Sequence, residues 1–335
     1  MSKQKKLSKI IVAAVCAALA TGSAIAQDIT LKMATDSGTR GSAIGDALDR
    51  WAELIETGTN GTVRVDVFYQ NELGGQQEVF DLFMANEVNL MINWPMTSYD
   101  ERIAAIYTPY MFSDWDDALA AYGTGGWMNG VLDGIYADLG LKFFGAWPEG
   151  FNGVATKGRY ASSIDEAASL KIRVPPVTPM AETIEALGYQ TATIDWSEVF
   201  TSIQTGVVDG DGANVIYWDY EYFRDTLDYY NRLRQQFNTG VIAINLSAWE
   251  DLTPEQQAVV ETASQQIMAD GFGQAQALDQ FYVDLARKAG IQYIELPDET
   301  IAEFAKVVRE KVWPVMEDKL GKEIMDTIRA NASLF

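Results

Sequence analysis

The stretch Leu170-Lys171-Ile172-Arg173-Val174-Pro175-Pro176 indicates the fold class of this chain. Its apolar residues alternate with Lys171 and Arg173, which is the pattern of a short strand with one buried face. The two prolines end that strand, because proline cannot donate a hydrogen bond within a sheet. Downstream, the sequence predicts a helix over residues 179–187, a strand over 191–194 and a helix over 197–205. The stretch therefore opens a β-α-β-α unit.

A similar unit is predicted near the start of the chain. Alternating apolar residues predict strands over 29–33 and 63–67, and a buried strand is predicted over 90–93. Helices are predicted over 44–55 and around 79–83. The second unit is predicted to follow a loop over residues 147–153. Two α/β units in tandem predict two lobes.

The C-terminal third is predicted to be mostly helical. Thr253, Pro254 and Gln256 form a capping pattern at a helix start, since the glutamine can reach back to the N–H of Thr253. Another helix is predicted from about Pro297 past Val312. Pro314 is expected to bend or end it.

The first 26 residues have the pattern of a secretory signal peptide. Four lysines precede an apolar run over residues 10–20, and Ala24 and Ala26 provide small residues before a cleavage site at Gln27. The run is shorter than the roughly 20 residues that cross a bilayer. Cys16 raises the alternative of a lipoprotein, which Val15 disfavours. We therefore expect a periplasmic protein whose mature chain does not insert into the membrane.

Charge and composition exclude several classes of function. Loss of the leader would leave 21 basic against 47 acidic residues, a net charge of −26 with neither cysteine nor histidine. Such a charge repels nucleic acid. Catalytic triads, thiolate nucleophiles and zinc sites built on histidine or cysteine are also excluded. The segment over residues 209–214 lacks the ligand spacing of a calcium loop, so no metal or other cofactor is expected.

Arg173 is the most informative candidate for ligand binding. A guanidinium on a mostly apolar strand can form a bidentate pair with a carboxylate, although an exposed edge-strand arginine fits the pattern equally well. Aromatic residues near the ends of predicted elements could form the walls of a cleft: Trp147, Trp196, Tyr217 and Trp218. Asp36, after the first strand, could face an ammonium or hydroxyl group.

Three segments, in this order and spacing, resemble the solute-binding subunits of tripartite ATP-independent periplasmic (TRAP) transporters of the C4-dicarboxylate-binding type. They are the Arg173 stretch, then Trp196-Ser197-Glu198-Val199-Phe200, then Gln204-Thr205-Gly206-Val207-Val208-Asp209-Gly210. Glu72-Leu73-Gly74-Gly75 also resembles the Gln-Leu-Gly-Gly turn of this family. The resemblance spans nearly the whole mature chain.

The resemblance implies specific roles for residues of the site. It implies that Arg173 binds the ligand carboxylate and that Asn214 forms a hydrogen bond with the same group. Many acid-binding members carry an arginine where this chain has Asn152, a neutral donor. The resemblance therefore implies weaker binding of a second ligand carboxylate. Ectoine-binding members use aromatic residues at positions that resemble Trp196 and Tyr217, which keeps a zwitterionic ligand open.

The resemblance further implies an α/β, two-lobed periplasmic binding protein fold of type II-like topology, in which hinge segments join the lobes and a ligand cleft lies between them. Lobe I is expected to comprise residues 27–150 and about 238–275. Lobe II is expected to comprise 151–237 and part of the C-terminal region, with helices over about 276–335 packing across both.

The function implied is capture of a small organic acid, such as a sugar acid or a hydroxy or keto acid, for two membrane permease subunits. An ectoine-like ligand is the alternative within the same family. The composition also allows a different class of protein, a secreted hydrolase with a carboxylate pair.

Overall fold

A computed structural model describes residues 29–335, and the predicted leader, with Cys16 and the cleavage site before Gln27, lies outside them. The strands are β1 Ile29–Ala34, β2 Val63–Phe68, β3 Leu90–Asn93, β4 Leu141–Phe151, β5 Val154–Thr156, β6 Lys171–Val174, β7 Gln190–Thr193, β8 Gly210–Asp211, β9 Tyr229–Arg232, β10 Phe237–Asn245 and β11 Gln292–Glu295.

The helices are α1 Ala43–Gly58, α2 Gln76–Met84, α3 Trp115–Tyr122, α4 Trp127–Asp138, α5 Ile164–Ala167, α6 Met180–Ala186, α7 Val199–Gln204, α8 Ile216–Phe223, α9 Leu246–Glu250, α10 Pro254–Ala289, α11 Asp298–Leu320 and α12 Lys322–Asn331. Two short 3-10 helices cover Glu101–Tyr107 and Trp196–Glu198. The predicted β-α-β-α-β start and the elements that follow Arg173 are confirmed within a few residues at their ends.

Two sheets form the frame of the molecule, as the two-lobed α/β prediction requires. The first has the order β2-β1-β3-β10-β4, and the second has the order β11-β9-β5-β8-β6-β7. Strands β1, β2 and β3 run parallel, as do β6, β7 and β8, whereas β10 pairs antiparallel with β3 and β4. In each sheet the parallel strands point their carboxyl ends toward the loops that carry the site.

The chain passes between the sheets twice at neighbouring positions. Strand β4 leads through residues 152–153 into β5, and β9 returns through residues 233–236 into β10. Asn152 joins these crossings, because its N–H donates to Gln236 O at 3.0 Å and its Oδ1 accepts from Gln236 N at 2.9 Å. The predicted loop over residues 147–153 is wrong for most of its length. Residues 147–151 pair with β10, a partner far away in sequence.

Helix α10 is a third connection between the two sheets. Its 36 residues span about 54 Å at 1.5 Å per residue, and it packs against α1 and β4 on one side and against α8 and β11 on the other. The predicted capping box at Thr253 and Gln256 is confirmed, and Gly290 closes the helix in the left-handed conformation.

Helix α11 begins at Asp298 and runs past Val312 as predicted. Of the two predicted effects of Pro314, the end of the helix is wrong, because the helix continues to Leu320. It packs against the 3-10 helix Glu101–Tyr107 and against α6, so it also contacts elements of both sheets. Among the helices of residues 29–335, none combines the length and apolar character needed to cross a membrane.

Gly210, in the second sheet, lies where the backbones of β5 and β8 are in close contact. A Cβ there would lie 1.8 Å from the carbonyl oxygen of Ala155, on the neighbouring strand β5. Gly210→Ala should therefore force β5 and β8 apart and lower the free energy of unfolding by about 3 kcal/mol.

Urea unfolding measures this difference, and Gly134→Ala is the matched control. Gly134 lies in α4 with no atom within 4 Å of an added Cβ, so alanine should stabilise that helix by about 0.5–1 kcal/mol. Equal stability of the two variants would contradict the close approach at Gly210.

Candidate functional site

A cavity lies between the two sheets, at the carboxyl ends of their parallel strands, where ligands bind in open α/β folds. The first sheet and its loops provide Ser37, Gln76, Trp94, Met96, Tyr107 and Asn238. The second provides Arg173, Pro175, Val177, Met180, Trp196, Ala213, Asn214 and Trp218. Nine of these fourteen residues are apolar or aromatic, so few polar groups orient a ligand.

Arg173 is buried at the wall of this cavity and is only 2% exposed. Its Nη1 donates to Oδ2 of Asp211 at 3.0 Å, and its Nε donates to the carbonyl oxygen of Ile194 at 2.8 Å. Within residues 29–335, Nη2 has no hydrogen-bond partner. The ion pair and the carbonyl contact therefore hold the guanidinium in place and leave the N–H groups of Nη2 for a carboxylate.

Asn214 and Asp219 continue this polar cluster. Nδ2 of Asn214 donates to Oδ1 of Asp219 at 3.0 Å. Burial, and then the negative charge of Asp211, raise the pKa of Asp219 well above its ordinary value. Because an amide nitrogen carries two hydrogens, Asn214 keeps one donor for a ligand.

Three tryptophans line the cavity from different elements. The guanidinium of Arg173 lies 5.8 Å from the ring centroid of Trp196, whose buried Nε1 has no hydrogen-bond partner in the described part of the chain. Trp218 meets Trp94 edge-on at 5.6 Å and Trp196 at 5.9 Å between ring centroids. The unpaired N–H of Trp196 adds a donor near Arg173.

Glu149, in β4, holds two of these tryptophans from behind. Its carboxylate accepts from Nε1 of Trp218 at 2.8 Å, from Nε1 of Trp94 at 3.1 Å and from Nδ2 of Asn238 at 2.8 Å. Burial raises the pKa of Glu149 to about 8, and these three donors oppose the rise only in part.

Asp36 lies behind Ser37 and Gln76 and is 5% exposed. Burial raises its pKa to about 7, against the lowering effect of the backbone N–H of Trp94 and the side chains of Gln76 and Ser37. Within residues 29–335, Oδ1 of Asp36 and Oε1 of Gln76 have no hydrogen-bond partner. The Asp36 side of the cavity therefore offers acceptors, whereas the Arg173 side offers donors.

The structure places the sequence candidates in two groups. Arg173, Asn214, Trp196 and Trp218 line the cavity, and Asp36 lies directly behind its wall. Trp147, Tyr217 and Asn152 do not line it.

Each of these three side chains has other neighbours. Trp147 packs on Gly271 of α10, and Tyr217 packs between Trp218 and Tyr282. Asn152 sits in the crossing between the sheets.

Sequence reasoning missed Glu149 as well as the cavity residues of the first sheet. The signal for Glu149 was an acid between Trp147-Pro148 and Gly150-Phe151, in a stretch otherwise without charge. Trp94, Gln76 and Asn238 had no comparable signal. No group of three or more histidine, cysteine, aspartate or glutamate side chains in residues 29–335 is arranged to hold a metal ion.

Comparison with known proteins identifies the family. The sequence profile of bacterial extracellular solute-binding protein family 7 matches residues 35–319. Solute-binding protein RD1_1052 of Roseobacter denitrificans is 25% identical over 90% of this chain and 94% of its own, and its crystal structure with bound L-galactonate superposes with a TM-score of 0.78.

Two further relatives cover most of the chain. The ectoine-binding periplasmic protein TeaA of Halomonas elongata is 26% identical over 86% of each chain. A TRAP periplasmic solute-binding protein from Roseobacter denitrificans, with bound β-D-glucuronate, is 18% identical over 90% of this chain and 99% of its own, with a TM-score of 0.82. Because the family profile covers most of its length, the chain belongs to bacterial extracellular solute-binding protein family 7.

Proposed function

We propose that the protein is the periplasmic solute-binding subunit of a TRAP transporter and that Arg173 captures the carboxylate of a small organic acid. The observation that carries the proposal is the buried guanidinium, whose Nη2 has no hydrogen-bond partner in the described part of the chain. Asn214 and the Nε1 of Trp196 supply further donors to the same group. The structural neighbours that hold glucuronate and galactonate support an acid ligand.

The cavity favours a ligand with one carboxylate. Arg173 is the one cationic side chain among the residues that line it, and Asn152 occupies the crossing between the sheets. Asp36, buried behind the wall formed by the first sheet, would repel a second carboxylate when it is ionised. Sugar acids and hydroxy or keto acids are therefore favoured over dicarboxylates.

A second candidate is a zwitterionic, ectoine-like solute. The aromatic wall of Trp94, Trp196 and Trp218 and the ectoine-binding relative favour it. A hydrolase with a carboxylate pair is disfavoured. Both oxygens of Glu149 already accept hydrogen bonds from neutral donors, which leaves this acid poorly placed to act as a base or nucleophile.

Ligand capture would use closure of the two lobes, whose boundaries we place at residues 150–151 and 237–238. The crossings at residues 152–153 and 233–236 would act as the hinges. A closed cleft excludes water, so a single guanidinium holds an anion despite the acidity of the chain. The closed form would then deliver the ligand to the small and large permease subunits. This role requires export and cleavage before Gln27, which N-terminal sequencing of protein from the periplasm tests.

A thermal-shift screen tests the proposed function. A small acid at 100 times its Kd should stabilise the protein by about 2.7 kcal/mol and raise the Tm. The matched control is the amide of each acid, which keeps the shape and removes the charge. Amides that stabilise as well as their acids would contradict carboxylate capture by Arg173.

A further inference from the structure

A second pocket lies along helix α10 and shares no lining residue with the cavity that Arg173 lines. Its walls come from the start of α1, from β4, from the start of α8 and from α10. Trp147 and Tyr217, two aromatic candidates that do not line the cavity, both line this pocket. We call the pocket the slot, and its lining also includes Ile44, Glu149, Leu278 and Asp279.

The slot is small, and it adjoins a larger groove. It has room for about 20 Å³, enough for one group of the size of a water molecule or an ammonium ion. The groove lies between α1 and α10, has room for about 560 Å³ and shares Ala43, Trp147, Gln274 and Leu278 with the slot. This shape suits a ligand with one small head group and a longer body.

Asp279 is an acid of the slot that lacks a partner. It is 9% exposed, and no group within residues 29–335 donates a hydrogen bond to its carboxylate or forms an ion pair with it. Oη of Tyr217, in the same slot, also has no hydrogen-bond partner in this part of the chain. Because a buried carboxylate without donors is costly, a donor group from outside the chain would stabilise it.

The charges around Asp279 favour a cationic donor over a neutral one. Arg232, the cation that acts on Asp279, does not line the slot and forms its ion pair with Glu295 at 3.6 Å. Glu149 adds a second carboxyl group to the slot. An ammonium ion donates hydrogen bonds and carries the opposite charge, so it stabilises a buried carboxylate more than a hydroxyl group does.

The groove combines apolar side chains with acids. Trp147 and Leu278 are among its lining residues, and so are Asp46 and Asp270. Arg50 also lines the groove, but it pairs with Asp270 at 3.4 Å. An aliphatic body would bury apolar surface there, and the net negative charge of the chain attracts cations.

We propose that the slot and the groove form a second binding site, for a small organic cation whose primary ammonium head enters the slot and binds Asp279. The aliphatic body of this cation lies in the groove, against Trp147 and Leu278. The site goes beyond the proposed function, because it shares no residue with the cavity and does not depend on which acid binds there.

Calorimetry at pH 8 with n-hexylammonium tests the site, and n-hexanol is the neutral control of the same shape. Asp279 is ionised at this pH, because burial raises its pKa only to about 6. We expect the ammonium ion to bind at one site and the alcohol to bind at least about 10-fold more weakly. Asp279→Asn keeps the shape and should weaken binding of the ammonium ion about 10-fold. Asp284→Asn, on the exposed face of the same helix, is the matched control and should change nothing.

A steric variant tests the position of the aliphatic body without a change of charge. Gly273 lines the groove, and an added Cβ there meets no atom within 4 Å, so Gly273→Leu fills the groove without a clash at Cβ. This variant should weaken binding of n-hexylammonium about 10-fold. Gly130→Leu, at an equally open position of α4, is the control and should leave binding unchanged.

Four results would overturn the site. They are no binding of n-hexylammonium to the wild type, equal affinity for n-hexanol, wild-type affinity in Asp279→Asn or Gly273→Leu, and displacement of n-hexylammonium by the acid found in the screen. The last result would place the cation in the cavity of Arg173. None of the four bears on carboxylate capture by Arg173, which the thermal-shift screen tests independently.

Discussion

Arg173→Lys is expected to weaken ligand binding about 100-fold, which corresponds to about 2.7 kcal/mol. Lysine keeps the positive charge, so the buried Asp211 retains a counter-ion. It loses the planar fork, however, and one ammonium cannot contact Asp211, the Ile194 carbonyl and a ligand carboxylate in the same geometry. Isothermal calorimetry with the acid found in the screen measures the change.

Arg173→Ala should abolish binding but also destabilise the fold by about 3–5 kcal/mol, because it leaves Asp211 charged and buried without a partner. Combining Arg173→Met with Asp211→Asn removes both charges and should restore stability without restoring binding. Lys171→Ala, on the exposed face of β6, is the control and should change neither quantity. Wild-type affinity in Arg173→Lys would contradict the assignment of the carboxylate site.

The ligand-free protein is expected to lose a few kcal/mol of stability as the pH rises from 5 to 8.5. Burial raises the pKa of Asp279 to about 6, of Asp36 to about 7 and of Glu149 to about 8, whereas unfolded carboxyl groups titrate near 4. Between these values the folded chain holds more protons than the unfolded chain. Stability therefore falls with pH by at most about 1.4 kcal/mol per unit for each group, and it levels off above pH 8.

Urea unfolding across this range measures the effect, and Glu149→Gln identifies the contribution of one group. The variant should lower the slope by up to about 1.4 kcal/mol per pH unit throughout pH 5 to 8, whatever its absolute stability. The change should be clearest between pH 7 and 8, where Glu149 is the last of the three groups to lose its proton. Repulsion among the many surface acids adds to the slope equally in both proteins, so the difference isolates Glu149. Stability that stays constant or increases from pH 5 to 8 would contradict the raised pKa values.

Most of the local structure could be predicted from the sequence, because local periodicity and capping residues specify it. The strand that carries Arg173, the β-α-β-α-β start and the capping box at Thr253 follow from such patterns. The predicted loop over 147–153 failed for a non-local reason. Residues 147–151 are held in β4 by pairing with β10, about 90 residues away in sequence.

The sequence by itself determined the α/β fold class, the family resemblance and the candidacy of Arg173, since each depends on residue types at short spacing. Only the tertiary structure decided which aromatic residues line the cavity, placed Asn152 in a crossing and brought Glu149 against two tryptophans. These contacts join residues that are 55 to 89 positions apart. Contacts between residues so far apart in sequence form only when the strands and sheets pack together, and no local pattern in the chain predicts them.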